Sequence, residues 1–86
     1  MGILLIKIKV YGPLKKYLLE KRNTSSNVIK IDIDKDSTIE DIVNYLGMPE
    51  KELRFTTILI NGMRFDQNKK IIEGDTIIFL PLMGGG

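Results

Sequence analysis

Cysteine and histidine are both missing from this chain of 86 residues. Without cysteine there is no disulfide framework, no zinc knuckle and no thiol nucleophile. Without histidine the commonest general base and the commonest metal ligand are gone. Charge of one sign is scarce as well. Lys and Arg number 13 against 11 Asp and Glu, a net +2. Nucleic-acid binders usually show a larger, one-sided basic excess. Lys15, Lys16, Lys21 and Arg22 do cluster, but a solvated helix face accounts for them. Long hydrophobic runs are absent too. Lys7 and Lys9 interrupt the apolar N-terminal stretch, far short of the ~20 residues a membrane span needs. Met1-Gly2 opens like a myristoylation signal, but Ile6 stands where Ser or Thr is required. Asp32, Asp34 and Asp36 follow one another at strand spacing. They lack the central glycine and distal Glu of a calcium loop. As an enzyme acting alone the chain is poorly equipped. The expectations are no bound cofactor, no metal, no nucleic acid, no membrane and a cytoplasmic address.

What is there reads as one small folded domain. The composition is 43% hydrophobic and 28% charged, ordinary for a globular chain. Residues 3–11 alternate, with Ile6, Ile8 and Val10 on one face and Lys7 and Lys9 on the other. That is the period of a half-buried strand. Gly12-Pro13 breaks it, and a short helix over 14–20 follows with Leu14, Tyr17 and Leu18 on its buried side. Residues 23–27 are polar loop. A second strand runs over 28–34, with Ile29, Ile31 and Ile33 on one face. Either Ser37 with Glu40 or Thr38 with Asp41 meets the capping-box spacing for the next helix. Ile39, Ile42, Val43 and Leu46 make its apolar stripe, and Gly47 stops it ahead of Pro49. A third strand over 56–60 ends at Asn61-Gly62, a pair suited to a tight turn. Residues 63–65 return as a short strand. Residues 66–70 are polar loop, Glu73-Gly74-Asp75 is a turn, and the last strand covers 76–80 before Pro81 ends it. A mixed sheet with a single main helix across one face is the simplest architecture for this order.

The chain ends in Gly84-Gly85-Gly86. A chance Gly-Gly-Gly end is expected in only about 0.03% of chains. A terminal glycine carries an unhindered carboxylate, and glycines before it adopt almost any backbone angle. Such a tail threads a narrow channel easily.

The element order with this ending resembles the ubiquitin-like β-grasp fold. Within it the chain is similar to the MoaD/ThiS sulfur carriers, and most similar to the small subunit of molybdopterin synthase. The resemblance covers essentially the whole chain. It rests on Val10-Tyr11-Gly12-Pro13-Leu14-Lys15, Ser37-Thr38-Ile39 and Leu46-Gly47-Met48-Pro49. It continues through Ile60-Asn61-Gly62, Glu73-Gly74-Asp75 and Phe79-Leu80-Pro81-Leu82-Met83-Gly84-Gly85-Gly86. The family more often shows two prolines and then a small residue before Gly-Gly. Here Pro81-Leu82 replaces the pair, and Gly84 takes the small position. The short helix after the first strand favours the molybdopterin branch over the thiamin branch.

The resemblance implies an α+β β-grasp body over residues 1–81 and a flexible tail over 82–86. It implies that Gly86 is adenylated with ATP by an E1-like adenylating enzyme and then converted to a thiocarboxylate. The sulfur would pass to a pterin precursor on the molybdopterin synthase large subunit. Alternatives are a protein modifier joined to lysines, or sulfur carriage for thiamin or tRNA thiolation. The tail set is Pro81, Leu82, Met83, Gly84 and Gly85, leading to Gly86. The strand phase adds an expected docking patch. If Ile58, Ile60, Ile77 and Phe79 face the helix, then Leu59, Ile78 and Leu80 point outward beside the tail.

Overall fold

Five strands form one mixed sheet in the order β2-β1-β5-β3-β4. They are β1 (Ile3–Val10), β2 (Val28–Asp34), β3 (Thr56–Ile60), β4 (Met63–Arg64) and β5 (Thr76–Pro81). β1 and β5 run parallel at the centre, and every other pairing is antiparallel. The helices are α1 (Lys15–Arg22), α2 (Ile39–Leu46) and α3 (Glu50–Leu53). The computed structural model describes residues 2–22, 26–66 and 70–82. This is the β-grasp architecture expected from the sequence.

One face of the sheet makes the core. Ile6, Ile8 and Val10 from β1 are buried with Ile60, Ile77 and Phe79. Over them lie Ile39, Ile42, Val43 and Leu46, the α2 stripe read from the sequence. Of the capping alternatives, Thr38 with Asp41 is used. Thr38 Oγ1 accepts from Asp41 N–H at 3.2 Å, and Asp41 Oδ2 accepts from Thr38 N–H at 3.0 Å. Gly47 closes the helix with φ 75°, a left-handed angle that glycine takes without a Cβ clash.

Several boundaries differ from the sequence reading. β1 ends at Val10, and Leu14 belongs to a 3-10 turn over Gly12–Leu14 rather than to α1. Pro13 lies at the start of that turn, where its missing N–H is harmless. Gly12 takes φ 61°, and a Cβ there would lie 3.2 Å from Pro81 Cγ. Leu14, Tyr17 and Leu18 are buried as expected. α3 was not expected. β5 continues through Pro81, which pairs with Thr56. Tyr11 N–H donates to Phe79 O, so odd residues of β5 turn their main chain toward β1. Pro81 therefore aims its nitrogen past the point where β1 has turned away, and no ladder bond is lost.

The turn at Asn61-Gly62 has φ 53° and 85°, the paired positive angles of a tight hairpin. Asn61 also ties the hairpin to the 73–75 turn. Its Nδ2 donates to the buried Asp75 Oδ1 at 2.8 Å, and its Oδ1 accepts from Thr76 N–H at 2.9 Å.

Candidate functional site

The end of β5 is the root of the tail. Pro81 is half-buried against β3 and close to Gly12. Leu82 N–H donates to Phe55 O at 2.7 Å, so the backbone is held through Leu82. Its side chain is 56% exposed, and that of Phe55 is 66% exposed. A cleft of about 360 Å³ opens beside this root, lined by Arg54, Thr57, Arg64, Phe65 and Leu82 among others. The tail residues Met83, Gly84, Gly85 and Gly86 lie outside the described residues.

Phe55 is placed by α3. Thr56 Oγ1 donates to Glu52 O at 2.7 Å, and Phe55 N–H donates to the same oxygen at 3.1 Å. The Tyr17 hydroxyl donates to Glu52 Oε1 at 3.2 Å, and Lys16 Nζ lies 3.6 Å from that oxygen. Lys16 also sits 5.2 Å from the centre of the Tyr17 ring. α1 therefore braces the turn that carries the tail root.

Burial pushes the Tyr17 phenol above its ordinary 10.0, the negative charge of Glu52 adds to the rise, and Lys16 opposes it. A phenol with a higher pKa folded than unfolded stabilises the fold fully below the unfolded value. That contribution fades as pH rises through the folded value. Tyr17→Phe is expected to cost about 0.5–1.5 kcal/mol at neutral pH, the net value of one hydrogen bond. It should also flatten the loss of stability above about pH 10. Denaturant melts of both proteins from neutral to alkaline pH check this. Curves that coincide over the whole range would mean that the Tyr17–Glu52 bond adds nothing.

Leu59, Ile78 and Leu80 lie on the sheet face opposite the core, as the strand phase predicts. Leu59 pairs with Ile78, and Thr57 with Leu80. Each of the apolar side chains is half-buried rather than exposed. Direct and diagonal cross-strand neighbours stand close enough to shield one another. Lys9 pairs with Ile78 and Arg64 with Leu59, so cations border the patch. The face can meet a partner that is apolar at its centre and acidic at its rim.

The sequence reading missed Arg54 and Phe55. The one available signal was Pro49 followed by the acidic Glu50 and Glu52, the pattern of a helix start. Among the described residues no group of Asp and Glu is placed to hold a metal ion, and no helix is long and apolar enough to cross a membrane.

Residues 3–84 match the model of the family described as Mut7-C ubiquitin. The chain belongs to the Mut7-C ubiquitin family. No curated protein matches it in sequence. Among solved structures this Mut7-C ubiquitin chain is similar to small archaeal modifier protein 1 of Haloferax volcanii. The identity there is 20% and the TM-score 0.66, over 91% of this chain and 97% of that one. It is also similar to a chain in the complex of subunits 1 and 2 of the molybdopterin-converting factor from Helicobacter pylori. That match has 21% identity and a TM-score of 0.59, over 96% of this chain and 100% of that one. A ubiquitin of Caldiarchaeum subterraneum matches at 13% identity and a TM-score of 0.57, over 99% and 100% of the two chains. These likenesses show the ubiquitin-like fold. They agree with the MoaD/ThiS-type kinship read from the sequence.

Proposed function

We propose that the chain is a sulfur carrier in molybdopterin synthesis, serving a molybdenum or tungsten cofactor, and that Gly86 holds the sulfur. The observation that carries this reading is a β5 end held by the Leu82–Phe55 bond beside an apolar face, with a glycine run next in the sequence. The body over residues 1–81 would present the tail over 82–86 to successive partners. In the first step an E1-like enzyme joins the Gly86 carboxylate to the α-phosphate of ATP, and pyrophosphate leaves. A carboxylate is a poor electrophile because attack on it must expel an oxide; the acyl-adenylate expels AMP instead. Hydrosulfide, or its equivalent on the partner, displaces AMP and leaves a thiocarboxylate. That sulfur is a nucleophile needing no cysteine, which suits a chain with none.

A large subunit would supply the catalytic base and the pterin site. The pairing of subunits 1 and 2 in the Helicobacter pylori neighbour supports such a partner. The likeness to small archaeal modifier protein 1 favours a second reading, in which Gly86 forms isopeptide bonds with lysines of other proteins.

The docking part of the proposal is tested by Leu59→Asp. The residue is half-buried opposite Ile78, so about 1 kcal/mol of stability should be lost. A charge brought unpaired into a desolvated interface costs far more. Affinity for the activating enzyme and for the large subunit should fall at least tenfold while the protein stays folded. Affinity equal to wild type would remove this face from the proposal.

A further inference from the structure

β2 is an outer strand, and its far edge faces no other strand among the described residues. Val10 N–H donates to Asn27 O, and Lys35 N–H donates to Gly2 O. Odd residues of this stretch therefore turn their main chain toward β1, and residues 28, 30, 32 and 34 turn theirs outward. At one end Ser26 Oγ accepts from Val28 N–H and donates to Val28 O, both at 3.1 Å. At the other end Ser37 N–H donates to Asp34 O at 2.9 Å. The edge between these closures is centred on Ile31, with the exposed Lys30 and Asp32 on either side.

The geometry points to this edge pairing with the same edge of a second copy of the chain, antiparallel about a two-fold axis through Ile31. The two five-stranded sheets then become one continuous sheet. In that register Lys30 faces Asp32 of the second copy, and Asp32 faces its Lys30. Each pair exchanges both of its main-chain hydrogen bonds and sets opposite charges side by side. On the inner face Ile31 meets its own counterpart and Ile29 meets Ile33, so β-branched side chains pack throughout.

Neighbouring registers are worse. Centring on Lys30 or on Asp32 brings like charges face to face at the axis. A one-residue slip sets isoleucines against the charged face. Edge charges commonly deter pairing. A run of one sign would repel a second copy, whereas the alternating Lys30 and Asp32 make this edge complementary to itself. A cleft of about 270 Å³ lies beside the edge, lined by Ile31, Ile33, Ile42 and Tyr45 and by the carboxylates Asp32, Asp34 and Asp41. Pairing covers it. β1 lies between β2 and β5, so both tail roots stay accessible. The inference stands whether or not the chain carries sulfur.

The paired stretch is short, so the dimer is a weak one. Sedimentation velocity of the full chain from about 10 µM to about 1 mM reads it directly. Lys30→Glu and Asp32→Lys each set like charges opposite one another on both sides of the axis. Each should weaken the dimer at least tenfold, with the circular dichroism spectrum unchanged. Mixing the two variants should restore dimer. The introduced glutamate of one then faces the introduced lysine of the other, and native Asp32 faces native Lys30. A wild-type chain that stays monomeric at the top concentration overturns the proposal. So do single variants that dimerise as wild type does, or a mixture that stays monomeric.

Discussion

Removing Gly86 is expected to leave the melting transition where it is and to abolish adenylation by the activating enzyme. The first half follows from position, because a terminal glycine contributes no core. The second follows from chemistry. The reacting atom is the terminal carboxyl carbon, and a chain one residue shorter presents that carbon about 3.5 Å short of its place. Effects of misplacement on this scale reach a hundredfold or more. The new terminus would also end on Gly85, so the loss isolates reach rather than residue type. Ordering a tail in a partner's channel costs about 1–2 kcal/mol per residue, which the folded body must offset. Leu59, Ile78 and Leu80 are already half-buried and retain only part of their apolar surface. The exposed Phe55 and Leu82 beside the root retain more. Covering what each still exposes is worth about 1–2 kcal/mol. A truncated chain that still accepts AMP, followed by mass spectrometry after incubation with enzyme and ATP, would end the carrier reading.

Leu46→Ala should cost about 2–5 kcal/mol in denaturant melts. Leu46 is 2% exposed on the last turn of α2, inside the cluster that joins the helix to the sheet. A domain of this size has a total stability of roughly 4–13 kcal/mol at ~0.05–0.15 kcal/mol per residue. One side chain therefore holds a large share. Glu40→Ala on the exposed side of the same helix should stay within about 0.5 kcal/mol. Similar small effects at both positions would place the helix face wrongly.

Most of the architecture was legible because the buried faces are periodic. Ile6, Ile8 and Val10 alternate with Lys7 and Lys9, and the α2 stripe repeats at helical spacing, so each element announces its inner side. The 28–34 and 56–60 strands match the observed β2 and β3. α3 was illegible because its single turn buries no residue and has no period to show. It is braced by a tertiary bond from Tyr17 to Glu52, which no local pattern encodes. For the same reason Phe55 could not be placed beside Leu82 from sequence alone. The outward phase of Leu59, Ile78 and Leu80 was readable, but their half-burial was not. It depends on register, which sets Leu59 opposite Ile78. The continuation of β5 through Pro81 likewise depends on where β1 turns away, a fact about Gly12 rather than about proline.

The intact mass of the chain isolated from its native cells tests the central claim most directly. A sulfur carrier is expected to show a population heavier than the free acid by the difference between one sulfur and one oxygen. Fragmentation should place that difference on Gly86, and alkylation of the thiocarboxylate should move it. A chain found only as the free carboxylate, or only in isopeptide linkage to lysines of larger proteins, would contradict the account.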